Sequence, residues 1–180
     1  MSWYVLFVKT GYEHKTVGDI NRGWKVDGLR PFVPMYDARF KQAGRIIQEK
    51  RRLLPGYVFV EMDIDEIDFY IMTYPLILRT EHAYKVLRYN AKHRDSTDYS
   101  FKIKEEEQQV LLKLYNDAYC VEMSQGFIEG DRIIITEGSL IGLESYIKKI
   151  NRHKMEALIE LELMGDIREL TVGLEIVSKI

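Results

Sequence analysis

Cations interleaved with aromatic rings are the residues of this sequence best suited to chemistry. Residues 79–94 carry Arg79, Lys85, Arg88, Lys92 and Arg94 against the acid Glu81, with His82, Tyr84, Tyr89 and His93 among them. Ammonium and guanidinium groups hold phosphates, while rings and guanidinium planes stack on unpaired bases, so the mixture suits RNA. A second set recurs on one face of a predicted helix, where Lys15, Asp19 and Arg22 fall at i, i+4 and i+7 with His14 beside them and Lys9 just upstream. A third set is Arg39, Lys41, Arg45, Lys50, Arg51 and Arg52 against Asp37 and Glu49, a composition that fits a phosphate backbone. An ordinary solvated surface is the competing reading of each set.

Nothing comparable supports catalysis. The sequence has no GxGxxG, phosphate-binding loop or HExxH, and His14, His82, His93 and His153 lack ligand spacing or a paired nucleophile, so no enzyme, cofactor or metal is expected. Cys120 stands alone and reads as a small buried hydrophobe. With 46% apolar and 30% charged residues, no apolar run long enough to span a bilayer and no charged leader before Trp3, the chain is expected to be cytoplasmic and free of membranes. The net charge of −2 is unevenly spread. Residues 1–116 hold 19 Lys+Arg against 16 Asp+Glu and the remainder 7 against 12, so a polyanion should prefer the first part.

The hydrophobic pattern supplies the elements that must position these groups. Residues 3–8 are continuously apolar, as in a strand buried on both faces. Thr10-Gly11-Tyr12-Glu13 has capping-box spacing and predicts a helix whose apolar stripe is Val17, Ile20 and Trp24. Pro31 and Pro34 mark an extended edge segment, and residues 37–50 read as a projecting hairpin around Ala43-Gly44. Pro55-Gly56 then turns the chain into the strand Tyr57-Val58-Phe59-Val60. Carboxylates over 63–68 predict a second helix with Ile67, Tyr70, Ile71 and Tyr74 facing the core, Pro75 ending it, and Leu76-Ile77-Leu78 opening a strand. Glu105-Glu106-Glu107 opens a third helix, with Val110, Leu111, Leu114 and Tyr115 as its apolar side. Beyond a linker at 117–126, short strand candidates at 133–135, 146–147, 157–163 and 174–177 suggest a small β-barrel.

Four motifs occur in order: Trp3-Tyr4-Val5, Phe32-Val33-Pro34, Leu54-Pro55-Gly56-Tyr57-Val58-Phe59-Val60, and Gly130-Asp131-Arg132-Ile133 through Gly138-Ser139-Leu140-Ile141-Gly142. Together they resemble the NusG family of transcription elongation factors over essentially the whole chain, the third matching its Phe-Pro-Gly-Tyr-Val-x-Val and the fourth its KOW motif. The resemblance implies an α+β fold: an NGN domain over 1–116, with an antiparallel sheet flanked by helices, and an SH3-like KOW β-barrel over 127–180. It also implies RNA polymerase as partner. Trp3, Tyr4, Phe7, Leu54, Pro55, Tyr57 and Phe59 would line or support an apolar depression for the clamp helices, and Asp68, Phe69 and Thr73 would face the gate loop.

Departures from the housekeeping pattern suggest a specialised paralogue. Met164-Gly165-Asp166 stands where the housekeeping barrel has Phe-Gly-Arg, and Ser139 replaces the KOW proline. Tyr146-Ile147-Lys148-Lys149-Ile150-Asn151-Arg152-His153-Lys154 and the basic first part resemble the LoaP antiterminators. That resemblance implies an operon-specific elongation and antitermination factor, acting as a monomer, that binds a hairpin in a leader RNA. Lys9, His14, Lys15, Arg22, Arg39, Lys41, Arg45, Lys50, Arg51, Arg52, Lys85, Arg88, Lys92 and Arg94 would hold it, with non-template DNA as a further candidate ligand. The alternatives are a general housekeeping NusG-type factor and an RNA-binding scaffold related to ribosomal KOW proteins. Refolding of the last part into helices is not expected, because Ile133-Ile134-Ile135 is β-branched and residues 159–163 alternate with period two.

Overall fold

The structure is a computed structural model that describes residues 1–89 and 100–179. Compactness divides the chain into two units, and both are discontinuous in sequence. The first comprises residues 1–33, 54–108 and 163–166, the second residues 34–53, 109–162 and 167–180.

The first unit is built on a four-stranded antiparallel sheet of β1 (Ser2–Val8), β2 (Arg30–Phe32), β5 (Tyr57–Met62) and β6 (Ala83–Val86), in the order β2-β5-β1-β6. Period two sorts the central strand onto two faces. Tyr4, Leu6 and Val8 lie on one, with Val58 and Val60 opposite them on β5, and all five are fully buried. The helices α1 (Glu13–Gly23) and α2 (Glu66–Ile77) contribute Ile20 and Phe69 to the core. The ring of Phe69 stacks on Tyr4 at 3.8 Å between centroids and 6° between planes. On the other face Trp3, Phe32 and Phe59 meet edge-on or tilted, 5.4–6.2 Å apart, a geometry that satisfies ring quadrupoles.

The start of α1 differs from the expected capping box. Tyr12 occupies the N-cap without a side-chain bond, and Thr10 lies outside the helix. The Glu13 carboxylate instead reaches back to the Gly11 amide at 3.0 and 3.1 Å and across to the Gly56 amide at 2.7 Å. One buried acid therefore ties the helix start to the Pro55-Gly56 turn, where Gly56 has φ +87°.

Helix α2 corrects two expectations. Phe69, Thr73 and Ile77 face the core, whereas Ile67, Ile71 and Tyr74 are 50–65% exposed and Tyr70 is half-buried. Both sets fit helical spacing, and stacking on Tyr4 selects the first. Burying Thr73 costs little because its hydroxyl donates to the Phe69 carbonyl at 2.7 Å. Pro75 lies within the last turn instead of ending the helix, and residues 76–78 form no strand. The Thr80 hydroxyl and amide close that end on the Leu76 and Ile77 carbonyls.

In the second unit β3 (Met35–Gln42) and β4 (Arg45–Arg52) form the expected hairpin, turning through Ala43 and Gly44 at φ +48° and +78°. The segment expected to be a linker contains β7 (Cys120–Val121), which pairs in parallel with Met35 and Tyr36. Helix α3 (Glu105–Leu114) buries Leu111 and Leu114, as its stripe predicted. A five-stranded sheet follows in the order β10-β11-β12-β8-β9, made of β8 (Ser124–Glu129), β9 (Arg132–Glu137), β10 (Ile147–Asn151), β11 (Glu156–Leu163) and β12 (Asp166–Lys179). Its pairings among the described residues do not close into a ring. Gly173 sits where a Cβ would overlap the Asp37 carbonyl oxygen.

Candidate functional site

The apolar candidates separate into core and surface. Trp3, Tyr4, Leu54 and Phe59 are 0–5% exposed and can only support a surface. Phe7 and Tyr57 are half-buried and paired across β1 and β5, and Pro55 is exposed. Because β6 pairs with β1, Tyr84 joins them: Phe7 lies 5.9 Å from Tyr57 and 5.5 Å from Tyr84. Tyr84 is 54% exposed, giving an open aromatic cluster at the Pro55 end of the sheet. Tyr84 was read from the sequence as a base-stacking residue, and the β1–β6 register that makes it a neighbour of Phe7 has no local signature. Of the three gate-loop candidates, Asp68 is exposed, and Phe69 and Thr73 are buried.

The cations fare unequally. Around α1, Lys15 donates to Glu81 at 2.7 Å and lies 3.2 Å from His82 Nε2, and Arg22 pairs with Asp19 at 2.6 Å. The Lys15 bond holds Glu81 below the usual carboxylate range, and the same bond raises Lys15. Lys9 is exposed with its ammonium 4.6 Å from the Tyr12 ring centre, and His82, at φ +71°, sets its own ring 4.0 Å from Tyr12. His14 is exposed. These residues form one patch, but two of its cations are already matched by acids. An open cleft beside it, lined by Asp19, Trp24, Arg79 and Thr80, is crossed by a 2.8 Å bond from the Trp24 indole to Thr80. No sequence signal pointed to it.

On the β3–β4 hairpin the register sorts cations by face. Arg39, Lys41 and Lys50 share one side, and Arg45 and Arg51 share the other. Arg39 is paired with Glu175 at 2.9 Å, and Arg51 with Glu49 at 2.5 Å and Glu156 at 3.6 Å. The Glu49 bond raises the Arg51 guanidinium further, and Arg51 also lies over Phe40, 4.9 Å from the ring centre. Lys41, Arg45 and Lys50 are exposed. Arg52 is half-buried, Lys85 and Arg88 are exposed, and Lys92, His93 and Arg94 lie outside the described residues.

Against known proteins, a family model described as "Transcription termination factor nusG" matches residues 1–112. The chain belongs to the NusG family. The transcription termination/antitermination protein NusG of Lactococcus lactis subsp. lactis (strain IL1403) is 25% identical over 167 residues, 88% of this chain and 83% of that protein. A solved structure described as "Domain interaction in Thermotoga maritima NusG" superposes with a TM-score of 0.51 at 22% identity, covering 97% of this chain and 93% of that one. The fold is thus NusG-like, of mixed α/β content, and the chain is a transcription termination/antitermination factor of the NusG family. Proteins of the NusG family bind RNA polymerase and are not enzymes. No helix among the described residues is long and apolar enough to cross a membrane.

Proposed function

We propose that this chain is an operon-specific elongation and antitermination factor, a cytoplasmic and monomeric paralogue within the NusG family. Its NGN domain, residues 1–116, docks on the clamp helices of RNA polymerase through Phe7, Pro55, Tyr57 and Tyr84. Asp68 at the exposed start of α2 meets the gate loop. Residues 117–126 connect to a KOW domain over 127–180. Bridging the polymerase cleft favours its elongating state by differential binding, without chemistry on either partner. A leader RNA hairpin recruits the factor through the cations of α1, the β3–β4 hairpin and β6. Non-template DNA is the competing nucleic acid.

The observation that carries the specialised reading is the Met164-Gly165 turn. Met164 is 3% exposed, and the amides of Met164 and Gly165 donate to the buried Glu107 carboxylate at 3.1 and 3.3 Å. Where the housekeeping pattern has Phe-Gly-Arg, this chain has the buried Met164, then Gly165 and the acid Asp166. This supports loss of the housekeeping contacts. The likeness to the Lactococcus lactis protein is compatible with either reading.

A salt titration of the full chain against hairpin RNA, matched DNA and single strands separates the two. Tight, hairpin-selective RNA binding is expected. Weak binding to all of them, abolished by salt, would leave recruitment by polymerase alone and return the housekeeping reading.

A further inference from the structure

Helix α2 is apolar on every side, the composition of a helix buried all round, yet one side of it faces water. Ile67, Ile71, Tyr74 and Leu78 on that side are 50–70% exposed. Their i, i+4, i+7 and i+11 spacing sets them in one narrow stripe about 16 Å long, the pattern of a coiled-coil seam. Tyr74 is steadied there, 5.7 Å from Tyr70, which stacks on Phe101 at 4.5 Å. Single exposed apolar side chains are ordinary, whereas four in line on one helix mark a surface that something covers.

Charge indicates what covers it. Of the acids on α2, Glu66 accepts from the Ser100 hydroxyl at 2.6 Å and the Phe101 amide at 2.8 Å, while Asp68 is exposed and has no ion-pair partner among the described residues. Arg79, just past the helix end, is likewise exposed and unpaired among the described residues. The Leu78 and Arg79 amides still bond back to the Tyr74 and Leu76 carbonyls, so the helical path brings Arg79 round to the Asp68 flank of the stripe, three turns on. The stripe therefore carries an anion at one end of a flank and a cation at the other end of the same flank. Two such helices packed antiparallel about a two-fold axis set Ile67 against Leu78 and Ile71 against Tyr74, and each Asp68 meets the turn that carries Arg79 of the second copy. The surface is complementary to itself.

We infer that the exposed face of α2 is a docking surface for a second copy of this chain, paired antiparallel about a two-fold axis passing between Ile71 and Tyr74. The seam is only three turns long, so the contact falls short of the roughly 1,200 Å² of a stable interface, and the pair forms with a dissociation constant of about 10–100 μM. Asp68 serves one partner at a time. In the unbound pair it faces the second copy, and on polymerase the factor acts as the single copy proposed above.

Sedimentation equilibrium of the full chain from about 5 to 500 μM tests this, and the average mass should rise from that of one chain toward that of two. Ile71→Ser should weaken association about tenfold or more, with the thermal midpoint unmoved because the position is exposed. Asp68→Arg and Arg79→Asp should each weaken it about fivefold at low salt, since either change sets like charges across both symmetric contacts. The exchange variant carrying both Asp68→Arg and Arg79→Asp should restore the association of the parent to within about twofold. A single-chain mass at every concentration would overturn the pairing, and loss of polymerase affinity in Ile71→Ser would then give the face to polymerase. Association that Ile71→Ser leaves unchanged would overturn α2 as the surface. Association that falls in both single charge variants and stays low in the exchange variant would overturn the two-fold register.

Discussion

The Glu13 carboxylate accepts the Gly56 amide at 2.7 Å, joining the first turn of α1 to the Pro55-Gly56 corner from inside the protein. The same carboxylate holds the Gly11 amide. Glu13→Ala removes the acceptor from two amides and leaves that of Gly56 buried without it, a loss of about 2–4 kcal/mol. Urea unfolding should show the midpoint falling with the m-value unchanged. A midpoint within error of the parent would mean that the Pro55-Gly56 corner holds its shape unaided.

Phe69 and Ile71 test the orientation of α2. Phe69 is fully buried against Tyr4, and Phe69→Ala should cost about 3–5 kcal/mol. Ile71 is 65% exposed, and Ile71→Ser should stay within about 0.5 kcal/mol of the parent. The reverse ranking in thermal melts would restore the stripe read from periodicity.

Tyr4 links stability to alkaline pH. Burial raises its phenol from the usual 10 to about 12, and its hydroxyl donates to the Ile64 carbonyl at 2.5 Å. With the folded-state value above the unfolded one, the contribution is complete below about pH 10 and is lost as pH rises toward 12. The difference in unfolding free energy between the parent and Tyr4→Phe should therefore shrink over that window, by up to about 2–3 kcal/mol. A constant difference across pH 9–12 would show that the phenol ionises equally in both states.

Phe7 and Tyr84 should carry much of the polymerase affinity. Tyr84→Ala and Phe7→Ala are each expected to weaken binding of the full chain to RNA polymerase by about 2 kcal/mol, some thirtyfold, with little effect on melting for Tyr84→Ala. Competition by an isolated clamp-helix segment reads the same surface. If both variants bind as the parent does, the aromatic cluster is not the docking face.

Much of the fold was legible because its strands are long runs of one type. Trp3 to Val8, Tyr57 to Val60 and the alternation over 159–163 all form strands in the structure. Turn chemistry was equally direct at Ala43-Gly44 and Pro55-Gly56. Helix α2 was misread because apolar residues surround it, so period alone could not choose between the Phe69 and Ile71 faces. The site was less legible than the fold. Exposed cations could be named, but whether each meets an acid depends on partners such as Glu81 for Lys15 and Glu175 for Arg39, which are distant in sequence.

The pairing of β3 with β7 sets an order of events during synthesis. Met35 and Tyr36 leave the ribosome long before Cys120 and Val121, their partners in the sheet. In the interval both strands of the β3–β4 hairpin have an open outer edge, an arrangement that invites pairing with a neighbouring chain. The exposed cations on both faces of that hairpin, Lys41 and Lys50 on one and Arg45 on the other, are a composition that disfavours such pairing. Charges placed on a hairpin with an open edge work against aggregation, whatever they bind in the finished protein.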